Sequence, residues 1–264
     1  KYYALKLMQD LTQFHQKDED KNALIDIELM RLDYVYTHTQ HAKKDTLYLN
    51  TLNALQAKFS NSDRVTEVDY RIATWYLQKA SLYKPLQGDA YKWYKKTAKE
   101  VCEKAIAKYP NSYGAKESIN LKNSIFAKST NLTIEEVNEP NKPFRALVST
   151  QNINKLYFKV VKTTSQELRQ LFRKTYGDQL IKRFNTFPVV KTFTQEFIDD
   201  GDYQNHNTEI KMPELAAGYY VILTSVTPDF KYENNLSSYA TCIISDIASI
   251  EKHREDGSYD FYAI

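Results

Sequence analysis

The sequence predicts two domains: an N-terminal all-α domain of helical hairpins at residues 1–129, and an antiparallel β-sandwich at residues 130–264. Three observations lead to this division. In the first half, apolar residues recur at every third or fourth position, which is the period of an amphipathic helix. In the second half they alternate with polar residues, which is the period of a strand with one buried face. The length of 264 residues also exceeds the size at which a single domain is usual.

Five apolar stripes run along the first half, and each has the spacing of one helical face. Polar or Pro-containing segments separate them, so neighbouring helices should pair as antiparallel hairpins. A sixth helix is predicted over residues 115–128. The stripes consist of Leu5, Met8 and Leu11; Ile25, Leu29, Leu32 and Tyr36; Tyr48, Leu52, Leu55 and Phe59; Val65, Val68, Ile72, Trp75, Tyr76 and Tyr83; and Tyr91, Tyr94, Ala98, Val101, Cys102, Ala105 and Tyr109.

One pair of these helices resembles a tetratricopeptide repeat. The first helix carries Tyr76, Ala80 and Tyr83. The second carries small residues and a closing proline, namely Ala98, Cys102, Ala105 and Pro110. Six extra residues separate the two halves around positions 85–88, which departs from the repeat pattern. The sequence therefore favours a TPR-like arrangement in a degenerate form.

The second half reads as about seven short strands and one helix. The helix is predicted from Thr164 and Glu167, which have capping-box spacing, and its apolar face consists of Leu168, Leu171 and Phe172. The strands are predicted at residues 133–137, 144–149, 155–160, 187–197, 208–211, 218–226 and 239–245, and residues 259–264 are interpreted as the start of a next module. This number of short strands is typical of an immunoglobulin/fibronectin-like β-sandwich.

The strand at residues 218–226 is the centre of the predicted sheet. It follows Pro213 and Gly218, and it is a nearly continuous run of aromatic, β-branched and aliphatic residues. Such a run indicates a central, well-buried strand.

Composition excludes several classes of protein. The net charge is only +3, from 36 basic and 33 acidic residues, which gives no reason to expect nucleic acid as a partner. No apolar run approaches the length of a membrane span. The two cysteines, Cys102 and Cys242, fall in different predicted domains, so we do not expect them to form a disulfide.

Two groups of residues contain side chains that can bind a metal: one around His38 and His41, and the acidic loop at residues 199–206. His38 and His41 lie three residues apart, with Asp33 and Asp45 nearby. They are better explained as part of a polar connector after a helix, because the sequence fixes no third ligand beside them.

The acidic loop at residues 199–206 lacks the ligand spacing of an EF-hand and is interpreted as a solvated hairpin loop.

The lysines at positions 92, 95, 96, 99 and 104 are interpreted as the solvated face of the fifth helix. We therefore predict no metal-binding, cofactor-binding or catalytic residue in this chain.

No enzyme motif is present. The sequence contains no Gly-x-Ser-x-Gly, His-Glu-x-x-His, P-loop or Gly-x-Gly-x-x-Gly pattern. No pair of carboxylates is flanked by the apolar residues that would raise a pKa. These observations predict a protein without catalytic activity.

Four segments of the second half carry a more specific resemblance: residues 199–210, 212–215, 218–221 and 244–247. They include a Leu-x-x-Gly-Tyr-Tyr strand and a later strand that ends in Ser-Asp-Ile. Together they resemble an early macroglobulin domain, of the MG2 type, from large bacterial alpha-2-macroglobulin family proteins. The first half is similar to the helical region that precedes such domains.

This resemblance implies an exported protein at the periplasm or cell surface, with a lipid anchor in a segment outside these residues. It implies further macroglobulin domains of the same polypeptide, and proteases, as partners. Family members trap proteases through a bait segment and a Cys-x-x-Gln thioester. Neither Cys102 nor Cys242 is followed by that pattern, and no bait-like stretch is visible.

The sequence therefore favours a non-catalytic scaffold segment of a protease-trapping protein. The alternative is a TPR-like module that binds a protein or peptide and carries an appended sandwich. A third class, carbohydrate binding, has only the abundance of Tyr and Trp in its favour, and Trp75 and Trp93 lie in predicted helices. A concave aromatic groove in the helical half would favour the peptide-binding alternative.

Overall fold

A computed structural model describes residues 1–233, 235–247 and 249–263. The chain contains both helices and strands and folds as two compact units. The first consists of residues 1–127 together with Gly201–Gln204, and the second of residues 128–200 and 205–264. The change from helix to strand thus falls two residues before the predicted position.

The first unit is helical. Its helices are joined by short connections, and a 3-10 turn at Pro85–Gln87 lies in the longest of them. The helices are α1 (Tyr2–His15), α2 (Asn22–His38), α3 (Lys44–Lys58), α4 (Val65–Ala80), α5 (Tyr94–Lys108) and α6 (Tyr113–Phe126).

The core of the helical unit forms where these apolar stripes meet. Ile25 and Leu29 of α2, Leu52 of α3 and Val68 and Ile72 of α4 are buried together. Small side chains allow α4, α5 and α6 to approach closely, because Ala73, Ala98 and Cys102 are fully buried beside Ile125. The predicted face of α1 is wrong in part. Leu5 and Leu11 are more than a third exposed, and only Met8 packs against the core.

Within its described residues, the second unit contains ten strands and two helices. A five-stranded sheet has the order β2-β8-β7-β4-β5, a three-stranded sheet has the order β1-β3-β6, and β9 pairs with β10. The strands are β1 (Ser129–Ile134), β2 (Val137–Asn138), β3 (Arg145–Gln151), β4 (Lys155–Thr163), β5 (Val189–Glu196), β6 (Asn205–Lys211), β7 (Gly218–Ser225), β8 (Ser237–Ile244), β9 (Ser249–His253) and β10 (Tyr259–Ala263).

The two larger sheets share one hydrophobic core. Val148 from the three-stranded sheet and Phe158, Ile222 and Ile244 from the five-stranded sheet are buried in the same cluster. The prediction that the strand at residues 218–226 is central and buried is confirmed, since β7 lies between β4 and β8.

Two helices cover the other face of the five-stranded sheet. The predicted capping box is present at the start of α7 (Ser165–Lys174), where Thr164 and Glu167 bond each other's backbone. The second helix, α8 (Asp178–Phe184), was not predicted. Leu180 and Phe184 of α8 pack against Val221 and Leu223 of β7, so the sheet is buried on both sides.

One strand pairing differs from the predicted antiparallel arrangement. β2 pairs with β8 in parallel, through Val137 with Ile243 and Asn138 with Ile244. This pairing is short because β2 spans only two residues before a turn-rich segment.

The prediction of a solvated loop at residues 199–206 is wrong for its central part. Asp202 is 1% exposed and Gln204 is 5% exposed, and Gly201–Gln204 belongs to the helical unit. The Tyr203 ring packs edge-on against Phe126 at 5.3 Å. The Gln204 side-chain amide donates to the carbonyl of Lys92 at 3.0 Å.

Candidate functional site

A groove of about 510 Å³ lies on the surface of the helical unit. We call it the aromatic groove. Helix α4 forms its floor, and α2 and α6 form its walls. Its lining includes five aromatic side chains: Tyr36, Tyr48, Tyr70, Trp75 and Tyr113.

Helix α4 forms the floor of the groove because one of its faces packs into the core and another lines the groove. Val68 and Ile72 point into the core and are fully or nearly fully buried. Tyr70, Thr74 and Gln78 are spaced four residues apart, so they share another face, and all three line the groove. The amphipathic pattern of α4 therefore places a polar and aromatic strip along the groove.

A hydrogen-bonded network fixes one side of the groove. The Asp33 carboxylate accepts from the Tyr48 hydroxyl at 2.6 Å and from Nε of Arg71 at 2.9 Å. Burial, together with the bond to Asp33, raises the pKa of Tyr48 well above its ordinary value. Tyr48 therefore stays neutral, and Arg71 is held in place by Asp33.

A second network lies beside the first. The Tyr36 ring stacks on the Tyr48 ring with centroids 4.1 Å apart, and the Tyr36 hydroxyl donates to Asp45 at 2.6 Å. Nζ of Lys79 lies 2.7 Å from the same carboxylate. Burial and the bond to Asp45 raise the pKa of Tyr36 to about 12. The stacked tyrosines are thus fixed at both hydroxyl ends.

Two polar atoms beneath the groove surface have no hydrogen bond within the described residues: Oγ1 of Thr74 and Nε1 of Trp75. Trp75 is 8% exposed, and its indole N–H interacts with the Tyr36 hydroxyl without forming a hydrogen bond of good geometry. Buried polar atoms without a partner are uncommon in folded proteins and cost stability.

The groove and its surroundings are negatively charged. An adjoining recess shares Asp33, Glu67, Arg71 and Tyr113 with it. Together the two are lined by four carboxylates and two guanidiniums, namely Asp26, Asp33, Glu67, Glu117, Arg64 and Arg71.

Both guanidiniums are already engaged. Arg71 bonds Asp33, and Arg64 bonds Glu67 at 2.5 Å and lies 3.6 Å from Asp26. Glu117 has no ion pair with any residue in the described part of the chain. The lining therefore presents excess negative charge to a ligand.

The residues considered as a metal site are used in other ways. The ring of His38 stacks on Tyr34, and its Nδ1 donates to the Tyr34 carbonyl at 2.8 Å. Nδ1 of His41 accepts the backbone N–H of Lys43 at 3.1 Å. Asp33 and Asp45 belong to the tyrosine networks described above. The structure therefore does not bring these four side chains together as ligands.

The other charged segments are less exposed than predicted. Lys96 and Lys104 are exposed, but burial lowers the pKa of Lys95, and Lys99 lies over the ring of Phe126 at 5.9 Å. In the acidic loop, Nε2 of His206 lies 3.8 Å from the Asp200 carboxylate. The interpretation of the lysines as one solvated face is thus wrong for Lys95 and Lys99.

Sequence reasoning missed the groove residues Tyr70, Thr74 and Tyr113, and also missed a buried acid. Asp69 is 6% exposed, and burial raises its pKa despite a hydrogen bond from Gln56. The four-residue spacing of Tyr70, Thr74 and Gln78 was visible in the sequence, but nothing there shows that α2 and α6 would leave this face open.

Comparisons with known proteins name no family for the chain. No protein-family model matches it, and no curated protein matches it. Among solved structures, it is similar to a CARDB domain from Pyrococcus furiosus, which was solved in complex with di-metal ions. The two are 12% identical over 45% of this chain and 92% of that one, with a TM-score of 0.27, too low for an argument about fold or function.

Among the described residues, no helix is long and apolar enough to cross a bilayer. The resemblance to alpha-2-macroglobulin family proteins stays a prediction.

Proposed function

We propose that the helical unit is a non-catalytic binding module, and that its aromatic groove takes a short basic segment of a partner protein. The observation that carries this proposal is the combination of five aromatic side chains with an excess of carboxylates in one groove. Lys and Arg side chains interact favourably with both kinds of group.

The size of the groove supports a peptide as ligand. A volume of about 510 Å³ lies within the range of sites that enclose a few side chains. Tyrosine and tryptophan offer large contact areas at a low cost in side-chain entropy. The fixed hydroxyls of Tyr36 and Tyr48 keep that surface organised before the ligand arrives, which lowers the entropic cost of binding.

The experiment begins with selection of peptides from a random displayed library on the wild-type protein. We expect the selected sequences to be enriched in Lys and Arg beside aromatic or aliphatic residues. The affinity of a synthetic peptide is then measured for the wild type, for Glu117→Lys in the groove and for Glu100→Lys. Glu100 is exposed on α5 and lies outside the groove, so it undergoes the same charge change at a control position.

Glu117→Lys should weaken binding about tenfold or more, whereas Glu100→Lys should change it by less than about twofold. Equal effects of the two substitutions would show that only the net charge of the protein matters. Failure to select any peptide would also contradict the proposal that the groove binds a peptide.

A second function is favoured by one specific observation. The Leu-x-x-Gly-Tyr-Tyr segment has a clear structural role: Leu215 is buried, Gly218 has φ of +154°, and the Tyr220 hydroxyl donates to the carbonyl of Ala216 at 2.9 Å. We propose that the β unit is a macroglobulin-like scaffold domain of an exported, protease-trapping protein. Its test is the surrounding reading frame, which should encode further β-domains and a Cys-x-x-Gln.

The finer fold descriptions are proposals as well. Close packing of Ala73, Ala98 and Cys102 supports a TPR-like hairpin of α4 and α5. The common core of two sheets supports an immunoglobulin/fibronectin-like sandwich. An experimental structure of each unit, superposed separately on known repeats and sandwiches, tests both proposals. A poor fit of either unit would reject its description.

A further inference from the structure

The outer side of helix α7 carries a concentration of positive charge. Leu168 and Leu171 point inward and pack in the cluster between the helices and the five-stranded sheet. The helical period places five residues on the opposite side, and all of them are exposed: Gln166, Arg169, Gln170, Arg173 and Lys174. We call this side of α7, defined by these five residues, the basic face.

The basic face includes no carboxylate. The single acidic residue of α7 is Glu167, and its side chain accepts from the backbone N–H of Thr164 at 2.9 Å as part of the capping box. The Arg169 guanidinium donates to the neutral hydroxyl of Ser165 at 2.8 Å. Arg173 and Lys174 have no ion pair with any residue that the structure describes. The three cations are therefore not neutralised within this part of the molecule.

The neighbouring helix is different, because its charges are paired. Nζ of Lys182 in α8 lies 3.0 Å from the Glu233 carboxylate, and the Asp178 carboxylate bonds the Tyr232 hydroxyl. The net charge of the whole chain is only +3, so it does not reveal the local excess on α7.

The helix dipole explains only part of this charge. Cations in the last turn of a helix are favoured by the dipole, which accounts for Arg173 and Lys174. Arg169 lies in the middle of α7, where the dipole gives it no advantage. Arg169 and Arg173 are one turn apart, with about 6 Å between their Cβ atoms. Guanidinium groups bind phosphate oxygens through two parallel hydrogen bonds, so this pair suits two adjacent phosphates.

The shape of the basic face favours a planar partner. It is one side of a single helix that lies on a sheet, so it is convex. Helical peptides and single-stranded nucleic acids bind in grooves, whereas the surface of a bilayer can contact a convex face. Tyr176, which is 75% exposed, follows directly in the connector to α8. Tyrosine is enriched at the interface between membrane and water.

We propose that the basic face of α7 binds the surface of a bilayer that contains anionic phospholipids. Arg169, Arg173 and Lys174 contact the lipid phosphates, while α7 stays packed on the sheet through Leu168 and Leu171. The binding is peripheral and electrostatic. It does not depend on either function proposed above, because it uses no residue of the aromatic groove or of the Leu-x-x-Gly-Tyr-Tyr segment.

The test measures sedimentation of the whole protein with large unilamellar vesicles. Vesicles of phosphatidylcholine alone are compared with vesicles in which a third of the lipid is phosphatidylglycerol. We expect the partition coefficient to be at least about tenfold higher for the anionic vesicles. It should fall as the salt concentration rises, because salt screens the attraction.

Variants then locate the surface. One cation near an anionic bilayer changes the partition coefficient about fivefold, so Arg173→Gln should lower it by that factor. The double variant Arg169→Gln/Arg173→Gln should lower it about twentyfold. Lys211→Gln is the matched control, because Lys211 is exposed on β6 of the three-stranded sheet, and that sheet packs on the face of the five-stranded sheet opposite α7. It should change the partition coefficient by less than about twofold.

A single-stranded oligonucleotide and polyglutamate are titrated in parallel as other polyanions. Three results would overturn the proposal: no binding to anionic vesicles, whether or not a polyanion binds; equal partition onto neutral and anionic vesicles; or equal effects of Arg173→Gln and Lys211→Gln. Thermal unfolding of each variant is recorded as well. Arg169 and Arg173 are exposed and glutamine also favours helix, so these variants are expected to fold.

Discussion

The backbone of Gly114 lies directly against the backbone of Thr66: a Cβ atom at position 114 would come within 2.2 Å of the Thr66 carbonyl carbon. The first turn of α6 thereby packs on the first turn of α4. The contact is extended by Ser112, whose hydroxyl caps α6 through the N–H of Ala115 and lies 2.9 Å from the Thr66 hydroxyl. This close approach sets the wall of α6 beside the floor of the aromatic groove.

Substitution of Gly114 by alanine should therefore force the two helices apart. Because the nearest atoms belong to the backbone, they cannot rotate away. We expect Gly114→Ala to lower the free energy of unfolding by about 3 kcal/mol or more. Lys116→Ala, at an exposed position of the same helix, should change it by less than about 0.5 kcal/mol. Urea unfolding measures both, and equal stability of the two variants would show that the contact is looser.

The unpartnered hydroxyl of Thr74 predicts a stabilising substitution. Thr74→Val keeps the shape of the side chain and removes a buried polar atom that has no hydrogen bond within the described residues. We expect the free energy of unfolding to rise by about 1 kcal/mol. Thr97→Val is the control, since the Thr97 hydroxyl donates to the Trp93 carbonyl at 3.2 Å, and it should bring no gain. Loss of stability in Thr74→Val would mean that this hydroxyl has a partner.

The buried carboxyl of Asp69 predicts a pH-dependent difference. Burial raises its folded-state pKa above the ordinary value of 3.8, so the folded protein holds this proton more tightly than the unfolded chain does. Ionised Asp69 therefore destabilises the fold at neutral pH, and stability from this group increases as the pH falls through the raised pKa.

Asp69→Asn resembles the protonated form and should have a higher Tm than wild type at pH 7. The difference should shrink as the pH falls and vanish once Asp69 is protonated in both states. Asp10→Asn, at an exposed position of α1, should show no such trend. A lower Tm for Asp69→Asn at pH 7 would contradict this account.

The raised pKa of Tyr36 predicts that the protein loses stability at alkaline pH. Its folded-state pKa is raised from 10 to about 12 by burial and by the bond to Asp45. Its contribution is therefore fully present below pH 10 and is lost as the pH rises from 10 to about 12. Unfolding measured across this range should show a shallower decline for Tyr36→Phe than for wild type. Identical declines would place the Tyr36 pKa near its ordinary value.

Both thiols should be unreactive in the folded protein. Cys102 and Cys242 are free and buried, and burial raises the pKa of each to about 11. Reaction with a thiol reagent requires an exposed thiolate, so the cysteines should be labelled only after the protein unfolds. Mass spectrometry after a timed pulse should find no label under native conditions and two labels in concentrated guanidinium chloride. Fast native labelling of Cys102 would show that α4, α5 and α6 open readily.

Local signals predicted much of the fold. The apolar run of β7 predicted a central, well-buried strand, and the Thr164–Glu167 spacing predicted the start of α7. Helix α8 was missed because it has only seven residues and follows Gly177, so its pattern spans barely two turns. The burial of Asp202 and Gln204 was missed because this segment packs against residues that are distant in sequence: Tyr203 contacts Phe126, and Gln204 donates to the carbonyl of Lys92.

The candidate site was less accessible to prediction. Tyr48, Asp33 and Arg71 come from three helices, and only packing brings them to one network. The sequence showed that these residues lie on amphipathic helices, but not which faces remain open. A groove is a property of the gap between α2, α4 and α6, which no local pattern encodes.

The most direct test of the aromatic groove uses Trp75 as a reporter. The chain has two tryptophans, so Trp93→Phe leaves Trp75 alone, and Trp75 lines the groove. Titration of this variant with the selected basic peptide should change the Trp75 emission in a saturable way, at the same concentration range in which the labelled peptide binds. Binding of the peptide with no change in Trp75 emission, and unaffected by Glu117→Lys, would place its site elsewhere and contradict the account.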